Sequence, residues 1–146
     1  MAAQNDAIVI ALCSADGIPS DNDERMLHCQ RMLEEGLCRG MEAEDMWFDP
    51  LFMVVKGMQE KQMEVLEAIR LFSEMGLNRT GGLSNISNGM PKHIRPIADS
   101  CMMAMAMMQG LTSAIVNPND ARMMQTIKTC DVIRNNNLCA DSYLEI

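Results

Sequence analysis

An alternation of short apolar runs with longer helical ones governs what this chain can fold into. The first run, Ala7-Ile8-Val9-Ile10-Ala11-Leu12, is continuously apolar. Such a run suits a strand buried on both faces, as in a parallel sheet. A loop follows, Ser14-Ala15-Asp16-Gly17-Ile18-Pro19, and then residues 21–37 read as a helix. Asp21 or Ser20 can cap it, Met26, Cys29, Leu33 and Leu37 fall at helical spacing, and Gly36 and Gly40 offer stops. A second unit begins at Met46-Trp47-Phe48 and turns at Asp49-Pro50. Its helix spans residues 60–75, with Met63, Leu66, Ile69 and Leu71 inward and Gly76 as the stop. A third unit opens with Thr80-Gly81-Gly82-Leu83-Ser84-Asn85 and leads, past Gly89 and Pro91, to a helix over residues 96–109. A fourth has Ser113-Ala114-Ile115-Val116-Asn117 and a helix over residues 120–134.

Four strand–helix units imply right-handed βαβ crossovers and a parallel sheet in one α/β domain covering residues 1–146. The rhythm alone fits a small doubly wound sheet or half of a barrel. The tail from Asn135 carries Leu138-Cys139-Ala140 and Tyr143-Leu144, a short extra packing segment.

Composition removes several function classes. Twenty acidic against 12 basic residues give a net charge of -8, against the basic face of a nucleic-acid binder. No run reaches the roughly 18 apolar residues of a membrane-spanning helix. The start, through Cys13, has no basic region, so a secretory signal is not expected. Six cysteines without a CxxC pair, beside two histidines, do not suggest a zinc site and read as reduced thiols in a cytoplasm. No GxGxxG follows the first strand and no GxxxxGK[ST] occurs, so neither a dinucleotide site nor a P-loop is supported.

In parallel β/α folds, chemistry gathers at the carboxyl ends of the strands. Asp49, Asn85 and Asn117 fall there, with Asp16 just past the first run and Ser84 and Ser87 flanking Asn85. Asp and Asn also begin such loops because they make turns and cap helices, which is the better reading of Asn117 before Pro118-Asn119-Asp120. The run from Cys101 to Met108 contains five methionines. It reads as an apolar helix packed on the sheet, with alanines allowing close approach, rather than as a soft-metal surface. His28 and His93 read as surface or helix-terminus residues.

Five motifs, in order, go further: Gly17-Ile18-Pro19 followed by Asp21; Trp47-Phe48-Asp49-Pro50-Leu51; Gly82-Leu83-Ser84-Asn85-Ile86-Ser87; Ala104-Met105-Ala106-Met107; and Cys139-Ala140-Asp141-Ser142-Tyr143. Together they resemble the methyltetrahydrofolate:corrinoid methyltransferases, a pterin-binding, dihydropteroate-synthase-like barrel family. The family includes the enzyme that methylates the corrinoid/iron–sulfur protein, and the pterin domain of cobalamin-dependent methionine synthase is similar. The resemblance covers essentially the whole chain, and matches only strands five to eight of a (β/α)8 TIM barrel nearly twice this length. It implies four β-α units forming a half barrel.

The resemblance also implies roles. Asp49 would hold the pterin ring, and Asn85 would act at N5 of 5-methyltetrahydrofolate, the atom carrying the methyl group. Gly82 and Ser84 would line the pterin pocket. Asn88 stands where the family has a glutamine, and Arg95 matches a family arginine at the end of a slightly longer loop. The corrinoid (cobalamin) would sit on a partner protein, so no metal ligand is needed here. The family's pterin-binding Asp and Asn from earlier strands have no counterpart. The chain is therefore expected to pair with a complementary N-terminal half barrel or with itself. The alternatives are a non-catalytic pterin-binding or assembly subunit, or a truncated gene fragment.

Overall fold

The first apolar run forms strand β1, Val9–Leu12, and strand β2 spans Met46–Asp49 beside it. They pair in parallel, Ile10 opposite Trp47 and Leu12 opposite Asp49. Strand β3 is only Asn78–Arg79, parallel to β2 with Trp47 opposite Asn78. The sheet order is β1-β2-β3. This computed structural model describes residues 2–140 and 142.

Four helices alternate with these runs: α1 Asn22–Cys38, α2 Gln62–Glu74, α3 Arg95–Met108 and α4 Ala121–Ile133. Each begins where its residues dictate. Asp21 caps α1, its carboxylate accepting from the Glu24 amide at 2.9 Å. Asp120 caps α4 by accepting from the Met123 amide at 3.2 Å. Proline in the first turn sets the start of α3. Gly76, at φ 72°, ends α2 in the left-handed conformation that glycine adopts without strain.

Two expected strands are corrected. The third does not occupy Thr80 to Asn85. It precedes Thr80, and Leu83–Ser87 winds into a 3-10 turn. Gly81-Gly82, without side chains to pack on a pleated surface, breaks the strand there. The fourth run, residues 113–117, gives only a parallel bridge from Ile115 to Gly82. A glycine partner and the turn at Asn117-Pro118 leave little ladder for it to join. A cavity of about 350 Å³ opens between α3, α4 and this loosely attached run. The result is an α/β fold with a three-stranded parallel sheet and four helices, compatible with part of a barrel.

A sequential strand order with right-handed crossovers carries successive helices along one face of a sheet. Burial alternates accordingly. Ala11 and Cys13 pack beneath α1 with Cys29, Met46, Phe48, Phe72 and Leu77. Ile8, Ile10 and Leu12, on the opposite face, are 56%, 50% and 44% exposed. A second cluster joins α2, α3 and α4 through Leu66, Ile69, Leu83, Met103, Met107 and Met123.

Several inward assignments change. Met63 is 65% exposed and Leu37 is 48% exposed. Val65, Ala68 and Phe72 carry the buried stripe of α2. Gly36 is not a stop: it lies inside α1, where a Cβ would run into the Met46 sulfur. In the methionine-rich helix, Met102, Met103, Ala106 and Met107 are buried, whereas Cys101, Met105 and Met108 face outward. His28 sits within α1, 3.5 Å from Glu24, and His93 is exposed. Of the tail expected to pack, Leu138 is 90% exposed and Cys139 and Ala140 are exposed too, while Asp141, Tyr143 and Leu144 lie outside the described residues. No helix among the described residues is long and apolar enough to cross a membrane.

Candidate functional site

Asp49 ends β2 on the open face of the sheet, level with Leu12 of β1. The next two residues bend sharply. Leu51 adopts φ 67°, a left-handed conformation that costs a branched residue about 1–3 kcal/mol unless its surroundings hold it. Two ties do so. Asp49 Oδ1 accepts from the Leu51 amide at 2.8 Å, and the Arg25 Nε of α1 donates to the Pro50 carbonyl at 2.8 Å.

The loop after β3 supplies the other side. The Gly82 amide faces the Asp49 carboxylate and favours its ionised form. Gly81 lies against both Asp49 and the Phe52 ring: a Cβ there would stand 2.5 Å from the ring and 3.1 Å from Asp49 Oδ1. Gly82 is less crowded. A Cβ on it would meet only the Asn85 amide, at 3.4 Å. Asp49, Gly82 and Asn85 are thus brought together, with Gly82 facing Asp49 on one side and lying against Asn85 on the other. Val55 closes the neighbouring loops by donating to the Ile86 carbonyl at 3.0 Å.

Electrostatics at Asp49 are set by two opposing effects. Burial raises the carboxyl pKa above its ordinary value, and the Leu51 and Gly82 amides partly offset this by stabilising the anion. Cys13, at the end of β1, donates its amide to the Asp49 carbonyl at 2.9 Å. Its thiol is pushed far up, first by contact with Cys29 and then by burial, so it stays protonated and is no nucleophile.

The remaining sequence candidates scatter. Ser84 is exposed and turns toward the fourth unit, lining a cavity of about 40 Å³ with Asp99, Asn117 and Asp120. Asn88 is exposed just past the 3-10 turn, its amide bonded to the Asn85 carbonyl at 3.1 Å. Arg95 folds back, its Nε donating to the Met90 carbonyl at 3.0 Å, and so closes the loop before α3. Asn117 makes a turn, accepting from the Asn119 amide at 3.0 Å. Between the loops after β2 and β3 runs a cleft of about 500 Å³ lined by Lys56, Glu60, Met90 and Pro91.

Two residues at this edge escaped the sequence reading. Arg25 is fully buried. The signal was an arginine one turn before Cys29, on the stripe expected to be apolar. Asp99 accepts from the Ser87 hydroxyl at 3.1 Å, and burial raises its pKa. No group of three or more His, Cys, Asp or Glu among the described residues forms a metal cluster.

A family model described as pterin binding enzyme matches residues 2–117. The chain belongs to the pterin-binding enzyme family. The match takes in β1 to β3 and all three residues brought together at the β2 edge. It is the family that the sequence motifs resembled. A methylcorrinoid:tetrahydrofolate methyltransferase of Eubacterium limosum is 27% identical over 138 residues, covering 93% of this chain and 50% of that protein. The chain thus spans about half the length of this relative.

Proposed function

We propose that this chain is the C-terminal half of a (β/α)8-barrel methyltransferase. It moves a methyl group between N5 of a tetrahydrofolate-type pterin and the cobalt of a corrinoid held by a partner protein. The observation that carries this reading is Asp49: a half-buried carboxylate at a strand's carboxyl end, oriented by two backbone amides, in a pterin-binding family member. A pterin offers a ring N–H and an exocyclic amine on one edge, and an ionised carboxylate accepts both as charge-assisted bonds. The exposed Asn85 amide lies next to Gly82, within the same cluster. It would donate toward N5, or hold a proton-carrying water there, as the methyl leaves in an in-line displacement. That contact strengthens in the transition state, where N5 gains its lone pair. Gly82 and Ser84 would line the pocket, and Asn88 and Arg95 would shape the loop at its rim. The cobalt ligands belong to the partner.

The relative named for this reaction supports the reading, and its double length supports a complementary N-terminal half barrel. The exposed Ile8, Ile10 and Leu12 form the face such a half, or a second copy, would cover. Cys38 and Cys101, unpaired and exposed among the described residues, go with a cytoplasmic location. The test is methyl transfer by the chain assembled with the N-terminal half of its relative, supplied with 5-methyltetrahydrofolate and a cobalt(I) corrinoid protein. Turnover that falls about 10- to 1000-fold in Asn85→Ala supports the assigned role, overlapping the roughly 100- to 10,000-fold range of general acid–base help. An Asn85→Ala assembly as fast as the unaltered one refutes it.

A further inference from the structure

The Arg25 guanidinium is the largest fully buried side chain of the described residues. Burying a guanidinium is costly unless it is paired, and an apolar side chain of similar size would serve packing as well or better. Arg25 has no salt-bridge partner among the described residues. Its Nε donates to the Pro50 carbonyl at 2.8 Å, one nitrogen bonds Asn22 Oδ1, and Nη2 has no partner. Asn22 in turn donates to the Glu64 carbonyl of α2 at 3.0 Å. This arrangement does little for the core, yet it holds one atom group of the turn that presents Asp49.

We propose that Arg25 is a positioning residue: through the Pro50 carbonyl it holds the Asp49-Pro50-Leu51 turn closed, and so keeps the Asp49 carboxylate aimed across the open sheet face. The proposal rests on the reading of Asp49 as the pterin-holding carboxylate, and adds the residue that orients it. The mechanism is local. Leu51 sits at φ 67°, where its amide can reach Asp49 Oδ1. Rotation of the Pro50–Leu51 peptide toward an unstrained conformation would withdraw that amide. The bond from Arg25 to the Pro50 carbonyl opposes this rotation, because it fixes the orientation of the same peptide plane.

The consequence can be read without any pterin. An amide bonded to a carboxylate stabilises its ionised form, so losing the Leu51 bond moves the Asp49 titration upward. Cys13 is the titratable neighbour of Asp49 from β1, and its thiol stays protonated throughout the range concerned. Asp21 and Glu24 of α1 and Glu64 of α2 face Arg25.

The experiment is a carboxyl-carbon NMR titration of the full chain, with the Asp49 resonance assigned by its loss in Asp49→Asn, repeated in Arg25→Met and Arg25→Lys. In Arg25→Met the Asp49 midpoint is expected to rise by about one pH unit, the scale of one hydrogen bond to a charged group. In Arg25→Lys, which keeps the charge and a single donor, the midpoint should lie between the two. An Asp49 midpoint unchanged in Arg25→Met, with a lower melting temperature, makes Arg25 a packing residue and overturns the proposal. If Arg25→Met does not fold, Arg25→Lys decides: an upward midpoint supports the proposal and an unchanged one overturns it. Since no ligand is present, this outcome is separate from whether Asp49 binds a pterin at all.

Discussion

Replacing Gly81 by alanine would put a Cβ 2.5 Å from two ring atoms of Phe52 and 3.1 Å from Asp49 Oδ1. Phe52 is only 2% exposed and packs in the cluster with Leu83 and Ile86, so its ring cannot swing aside. Overpacking of this kind costs about 1–3 kcal/mol. Against it stands a gain of about 0.4–1 kcal/mol from stiffening the unfolded chain. The net loss is between zero and about 2.6 kcal/mol. For a domain of this size, at about 2–4 °C per kcal/mol, that lowers the melting temperature by up to about 10 °C. Gly82→Ala is the internal control. Gly82 lies at φ -78° and ψ 77°, which alanine also adopts, and its Cβ would meet only Asn85 at 3.4 Å. It should match or slightly exceed the unaltered chain in stability. Thermal unfolding followed by circular dichroism measures both. If Gly81→Ala melts with the unaltered chain while Gly82→Ala melts below it, the crowding is misassigned and the account of how Asp49 is seated is wrong.

Further outcomes follow from the same geometry. Burial raises the folded-state pKa of Asp49, so the stability it contributes is present below the unfolded value and is lost as pH rises through the folded one. Asp49→Asn should therefore melt above the unaltered chain at neutral pH, with the difference shrinking as pH falls toward about 4, and a constant difference would contradict the assigned cause. Ile10, 50% exposed on the open face, should tolerate Ile10→Glu without loss of stability in the isolated chain. The same change should abolish assembly with an N-terminal half barrel in analytical ultracentrifugation, and unimpaired assembly would place the interface elsewhere.

The helices were largely legible in the sequence. Expected spans of 21–37, 60–75, 96–109 and 120–134 became Asn22–Cys38, Gln62–Glu74, Arg95–Met108 and Ala121–Ile133. Caps and stops act locally, so Asp21, Asp120 and Gly76 announce themselves. Strands depend on partners, which is why residues 113–117, apolar enough to read as a strand, hold only one bridge. Helical spacing also failed where two faces competed: Met63 fits the period of α2 but points outward, while Val65 and Phe72 fill the core. Within the site, the position of Asp49 was legible because it ends a strand, whereas Asn85, marked only by its motif, lies in the 3-10 turn after β3 rather than at a strand end. The steric demand at Gly81 and the support from Arg25 were not legible, since each depends on a side chain from elsewhere, Phe52 in one case and the α1 stripe in the other.

The central claim, a pterin site built around Asp49, is met most directly by calorimetric titration of 5-methyltetrahydrofolate into the chain assembled with an N-terminal half barrel, beside an Asp49→Ala control of the same assembly. Saturable binding that disappears in the control is the predicted result. Binding of equal strength in both would contradict the claim, because the carboxylate would then contribute nothing to holding the pterin.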